Sequence, residues 1–133
     1  MANNEGKLSS RTNPQRRLNN VEHYIGQFLD AACETSRRYI LELLIPPNWQ
    51  DNPDGYELRA GEIAQQLGLA PSTTSEHLKQ LQNLHLVSAR KEGNVIYYRL
   101  CNHQLVHAFH EMIQALETHY NTYNSSSEAQ ENS

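Results

Sequence analysis

The sequence predicts a mainly α fold with a small β-hairpin (α+β), and three observations carry that prediction. Apolar residues recur with the 3.6-residue period of a helix over most of Val21 to Leu84 and again from about Asn102 to Tyr123. Two of these helical patterns lie close together, separated by a short turn that contains Gly68. Between Leu86 and Leu100 the period changes to two, and Glu92-Gly93-Asn94 divides that stretch as a hairpin turn would.

Taken in order, residues 1–18 are rich in Asn, Ser, Arg and Gln with almost no apolar content, and a disordered arm is expected. Val21, Tyr24, Ile25, Phe28 and Leu29 then fall at i, i+3, i+4, i+7 and i+8, one face of a first helix reaching about Ala32. A second helix is expected from about Thr35 to Leu44 with Tyr39, Ile40, Leu43 and Leu44 inward. Pro46-Pro47 stops it, because proline has no N–H to donate and its ring crowds the preceding turn. The stretch from Pro46 to Gly55 reads as a turn-rich loop, and Tyr56-Glu57-Leu58 as a short strand. A third helix, about Ala60 to Leu67, points Ile63, Ala64 and Leu67 inward and ends at Gly68, which tolerates a left-handed backbone. The fourth opens at Pro71, suited to a first helical turn, and buries Leu78, Leu81 and Leu84. After the hairpin, Val106, Phe109, Ile113, Leu116 and Tyr120 form the stripe of a last helix, widened by Leu105 and Met112. Residues 124–133 are expected to be a disordered tail, leaving one domain over 19–123.

A chain of 133 residues, 38% hydrophobic, suits one modest core. No apolar run approaches the roughly 18 residues that span a bilayer. The first twenty residues contain no apolar segment of the signal-peptide kind, so a cytoplasmic protein is expected. There the acceptor pattern Asn124-Ser125-Ser126 has no meaning. Two cysteines are too few for a disulfide scaffold. Motifs of nucleophilic, metal-hydrolytic and nucleotide-dependent catalysis are absent, and the six glycines are dispersed, so no enzyme is expected.

The net charge of −4 argues weakly against nucleic acid, but its distribution says more. Residues 1–20 carry four basic residues against one acid, and residues 59–99 carry five against three. Residues 21–58 carry two against seven, and residues 100–133 have four acids and no Lys or Arg. The basic stretches are the arm and the middle.

Two helices joined by a short Gly-containing turn, followed by a hairpin, make a winged helix-turn-helix. The first helix braces the second, whose free face enters a major groove. That face would present Ser72, Thr73, Ser75, Glu76, Lys79 and Gln80. Short hydroxyls at a helix start approach phosphates and base edges closely, and the N–H groups there favour phosphate. Arg90, Lys91 and Asn94, at or near the hairpin tip, would lie over the DNA backbone or minor groove. The same pattern also fits a winged-helix protein-interaction module without specific DNA binding, and the overall acidity and Glu76 suit that alternative.

The residues carry a resemblance. Ser36-Arg37-Arg38-Tyr39-Ile40-Leu41-Glu42-Leu43-Leu44 resembles the T-R-R-x-I-L-x-L-L helix of the ArsR/SmtB family of bacterial metal- and stress-responsive repressors. Glu62-Ile63-Ala64-Gln65-Gln66-Leu67-Gly68-Leu69 is similar to its D-L-A-x-x-L-G-L, and Ser72 to Leu81 to its P-T-V-S-x-H-L-K-x-L. Leu86-Val87, Arg90-Lys91-Glu92-Gly93 and Tyr97-Tyr98-Arg99-Leu100 resemble its wing. The resemblance implies a homodimer through the first and last helices, placing Tyr24, Phe28, Leu105, Phe109, Met112, Ile113, Leu116 and Tyr120 at the interface. It also implies two recognition helices on a palindromic, double-stranded DNA operator, repression, and release by an inducer.

Departures from the family bear on the inducer. Soft-metal sensors of the family carry two thiolates just before the helix-turn-helix. Arg59 and Gly61 stand at those places, and arginine ligates no metal. Ala70 replaces a capping hydroxyl before Pro71. His103, His107 and His110 share a face of the last helix and are candidate ligands for zinc or nickel, against the plainer reading of a solvated polar face. Cys33 and Cys101 are candidates for a redox pair, against a buried small hydrophobe for Cys33. His77 is expected to be packed behind the recognition helix.

Overall fold

The computed structural model describes residues 16–51 and 55–131, with side chains as far as Ser125. The elements run α1 (Asn19–Cys33), α2 (Thr35–Leu43), β1 (Leu58–Arg59), α3 (Ala60–Leu67), α4 (Pro71–Asn83), β2 (Val87–Glu92), β3 (Val95–Leu100) and α5 (His103–Glu131). The fold is a winged helix-turn-helix. The strands form one antiparallel sheet in the order β1-β3-β2, with Leu58 opposite Tyr98 and Arg90 opposite Tyr97.

The corner between α1 and α2 turns on one residue. Glu34 is extended, its N–H closes α1 on the Ala31 carbonyl, and its carboxylate accepts the Arg37 N–H at 3.0 Å. The carboxylate thereby satisfies an N–H that the first turn of α2 would otherwise leave without a partner. Arg38 spans the same corner, donating to the Ala32 carbonyl at 2.6 Å and to the Thr35 hydroxyl at 3.2 Å.

Ile40 and Leu41 of α2, and Leu44 just after it, join Ile63 of α3, Leu78 and Leu81 of α4, Leu86, and Val106 of α5 in the core, each at most 1% exposed. Each such side chain contributes about 1.5–3 kcal/mol by leaving water. This corrects the inward face expected for α2. Leu41 is fully enclosed while Tyr39 is 55% exposed. A surface helix buries one stripe, but α2 packs against α1, α3, α4 and α5 together, so its buried face widens toward Leu41.

The helix-turn-helix bend is set by Gly68, which has a φ of +67°. Its N–H and that of Leu69 close α3 on the carbonyls of Gln65 and Ala64. The end of α4 has the same form with a less suitable residue. The Leu86 N–H reaches the Leu81 carbonyl and the His85 N–H reaches Gln82, which holds exposed His85 at a φ of +58°. A β-carbon costs energy in that conformation. His85→Gly is therefore expected to raise unfolding free energy by about 0.5–1 kcal/mol in a urea titration, while His85→Ala should give no gain.

The hairpin turns on Gly93 at a φ of +64°, as a two-residue loop with glycine first requires. The last helix continues past Tyr123 to Glu131, where a tail had been expected. No proline or glycine stands in that stretch to stop it. Of the expected arm, residues 1–15 lie outside the described residues.

Candidate nucleic-acid interface

The turn at Gly68 sets α4 against α3 with one face buried and one open. Thr74, Leu78 and Leu81 point inward, and the Thr74 hydroxyl is satisfied by the Ala70 carbonyl at 3.0 Å. Ser72, Thr73, Ser75, Glu76, Lys79 and Gln80 are all exposed, so the six residues read as the recognition face share one accessible surface. No side chain caps α4. Its leading N–H groups are therefore open to an outside acceptor, at the end where the helix dipole favours an anion. Glu76 is shielded in part by Gln80, whose amide donates to it at 3.4 Å.

The back of α4 is braced at its middle and at its C-terminal end. His77 is mostly buried and its Nε2 lies 3.6 Å from the Glu34 carboxylate, so Glu34 both caps α2 and faces the recognition helix. The Tyr24 hydroxyl donates to the Leu84 carbonyl at 3.3 Å. Tyr24, expected at a dimer contact, is thus also tied to the end of the recognition helix. Sequence periodicity has no means of showing either tie, since both join residues far apart in the chain.

The wing differs from expectation at one residue. Lys91 and Asn94 are exposed at and near the tip, but Arg90 is set back opposite Tyr97. Its guanidinium donates to both Glu57 carboxylate oxygens and to Glu92, and it lies 4.7 Å from the Tyr97 ring centroid. The Arg90 hydrogen bond holds Glu57 below the usual carboxylate range, and Glu57 followed by Glu92 raises Arg90 further above its own. Arg90 is therefore not a free wing cation. Its partner Glu57 lies 33 residues away in sequence, beyond what a local charge pattern reveals.

The interface residues expected from α1 and α5 divide into two sets. Phe28 and Leu105 pack on the core and Phe109 is only 8% exposed, with the Phe28 and Phe109 rings meeting edge to face at 5.5 Å. Those residues hold α5 to α1 within the chain. Met112, Leu116 and Tyr120 are exposed, and with half-buried Ile113 they line an open groove of about 600 Å³ that Leu29 of α1 completes.

The histidine face is more enclosed than the plainer reading expected, though not sealed from water. His103, His107 and His110 are all partly buried. Trp49, from the long loop, stacks on His107 with ring centroids 4.0 Å apart. His107 Nδ1 lies 3.4 Å from Glu111, and His110 Nδ1 lies 3.5 Å from Glu42 of α2. The loop from Pro46 thereby gains a packing role, signalled in sequence only by a lone tryptophan among polar residues. Among the described residues, no group of three or more His, Cys, Asp or Glu is arranged to hold a metal ion. Cys33, at the end of α1, and Cys101, just before α5, are free and exposed, so Cys33 is not a buried hydrophobe.

Comparison with known proteins gives this geometry a family. Residues 54–89, from the approach to β1 through α3 and α4 into β2, match the sequence profile described as bacterial regulatory protein, arsR family. The transcriptional repressor SdpR of Bacillus subtilis is 31% identical over 70 residues, which are 53% of this chain and 68% of SdpR. The chain belongs to the arsR family of bacterial regulatory proteins. As a family member it is similar to the nodulation protein NolR of Rhizobium meliloti, 34% identical over 71 residues, or 53% of this chain; the aligned part is about half, 51%, of NolR. The homodimeric winged helix-turn-helix DNA-binding domain of a possible ArsR-family regulator from Mycobacterium bovis superposes with a TM-score of 0.61 at 25% identity, covering 77% of this chain and 86% of that one. The arsR match sets the chain among regulators rather than enzymes. No described helix is long and apolar enough to cross a membrane.

Proposed function

We propose that the chain is a cytoplasmic, sequence-specific DNA-binding transcriptional repressor that holds a palindromic operator as a homodimer. The observation that carries this reading is the open face of α4, where Ser72, Thr73 and Ser75 flank an uncapped helix start on a braced, otherwise buried helix. The groove of Met112, Ile113, Leu116 and Leu29 supplies an apolar surface for the second copy. The M. bovis relative is homodimeric and SdpR is a repressor, and both facts support the same arrangement here. A protein-interaction module without DNA specificity would have no need of the uncapped hydroxyl-bearing start.

Base contacts and phosphate contacts separate in a mutant series. Thr73→Ala and Ser75→Ala are each expected to weaken operator binding about tenfold, a loss within the usual range for a base contact, while leaving random duplex within about twofold. Lys91→Ala should weaken both DNAs equally and flatten the salt dependence. Fluorescence anisotropy reads all three. Equal losses on both DNAs for Thr73→Ala and Ser75→Ala would remove α4 from its role. Adding zinc, nickel or an oxidant to the complex asks whether His103, His107 and His110, or Cys33 and Cys101, release it.

A further inference from the structure

The sheet face that bears Arg90 carries as much negative as positive charge. Ser88, Arg90 and Glu92 alternate along β2 and stand opposite Arg99, Tyr97 and Val95 of β3. Glu57 reaches this face from just before β1. Arg90 Nε donates to the two Glu57 oxygens at 3.2 and 3.1 Å, Nη2 donates to Glu57 Oε1 at 2.9 Å, and Nη1 donates to Glu92 Oε2 at 2.7 Å. A forked carboxylate contact of this kind is stronger and more directional than a single hydrogen bond. The Glu57 side chain is 20% exposed and that of Arg90 47%, so the pair is partly screened from water on the Glu57 side. Arg99 also lies within electrostatic reach of Glu57. Two guanidinium groups thus share the face with two carboxylates. Lys91, opposite Ile96 in the neighbouring register, has no carboxylate partner among the described residues.

We propose that Glu57, assisted by Glu92, withholds Arg90 from DNA phosphate, and that Glu57 thereby determines specificity by keeping the wing's sequence-independent affinity low. This rests on the reading of the chain as a DNA-binding regulator. For Arg90 to take a phosphate it must leave Glu57, a three-contact partner, and strand a carboxylate that is largely enclosed. The exchange swaps one anion for another. The counterions released from DNA are offset by the cation that the bared carboxylate then attracts, so little is gained. Non-specific binding falls to Lys91 and the helix start, and discrimination falls to α4.

The test is a double-mutant cycle on the full chain, with random duplex DNA read by fluorescence anisotropy across a range of salt. Arg90→Ala is expected to bind random DNA within about twofold of wild type, whereas Lys91→Ala loses affinity. Glu57→Gln is expected to bind more tightly than wild type. Its salt slope should steepen by about one phosphate contact, so its advantage grows roughly threefold as salt falls from about 200 to about 50 mM. Arg90→Ala placed in the Glu57→Gln background should erase that gain. A mere loss of negative charge would instead give Arg90→Ala the same effect in both backgrounds. Glu92→Gln, at a more exposed site, should show a smaller gain of the same sign and guards against a folding defect in Glu57→Gln, which thermal unfolding also checks. The proposal is overturned if Glu57→Gln binds no better than wild type, or if Arg90→Ala costs as much in wild type as in Glu57→Gln. A wild type that binds neither operator nor random DNA would overturn the DNA-binding reading itself, and the role of Glu57 with it.

Discussion

Leu116→Glu is expected to turn the proposed dimer into monomers and to weaken operator binding by about two orders of magnitude or more. Leu116 is 57% exposed in the isolated chain and lies in the groove between α1 and α5, beside Met112 and Tyr120. A carboxylate placed there costs little in a monomer, where water reaches it. In a dimer it is buried against apolar side chains without a partner, at a cost of several kcal/mol, about enough to dissociate a modest interface. The operator loss follows because two linked recognition helices bind with an effective concentration that a single helix lacks, an advantage of roughly 10²–10⁴. Light scattering and an operator titration check the two halves of the expectation. A persistent dimer would show that the exposed α1–α5 face is not the interface. Phe109→Glu is the poorer probe, because Phe109 is nearly enclosed against Phe28 and its charge would unfold the chain.

Leu41→Ala is expected to cost about 2–5 kcal/mol of unfolding free energy, a large part of what a domain of this size has. Leu41 is fully enclosed in the last turn of α2, among elements that cannot all collapse into the space the three lost carbons leave. Tyr39→Ala, two residues earlier, is expected to cost less than about 0.5 kcal/mol because Tyr39 is mostly exposed. The pair is informative because the 3.6-residue pattern alone ranks the two residues the other way. Urea unfolding monitored by circular dichroism distinguishes them, and comparable losses for both would contradict the packing described for α2.

What the sequence disclosed and what it concealed follow from the range of each interaction. Elements whose signals are local were legible: the Gly68 turn, the Pro71 start of α4, the Gly93 hairpin, and the exposed hydroxyls of α4 all depend on neighbouring residues. Burial on α2 was legible only in part, because a helix packed on several sides hides more than one stripe. Pairings across the chain were not legible. Glu57 with Arg90, Glu34 with His77 and Trp49 with His107 join residues that only the fold brings together. These pairings changed the account of the site most. Arg90, a wing cation by position, is bound to carboxylates, and two of the histidines of α5, a solvated row by periodicity, pack against the loop (His107) and α2 (His110). For the apolar residues of α1 and α5, periodicity does not say which side chains a helix gives to its own core and which it leaves exposed. Phe28 and Phe109 went to the core, while Met112, Leu116 and Tyr120 stayed on the surface.

The central claim is that this chain reads DNA sequence through α4 as a dimer. It is tested most directly by titrating the purified, reduced, metal-free protein into the DNA upstream of its own gene and into random duplex at near-physiological salt. The account predicts saturation at two chains per operator and at least about 10³-fold preference over random DNA, with affinity for both falling as salt rises. Equal affinity for the two DNAs, or no binding to either, would contradict it and would make the winged helix a surface for a protein partner instead.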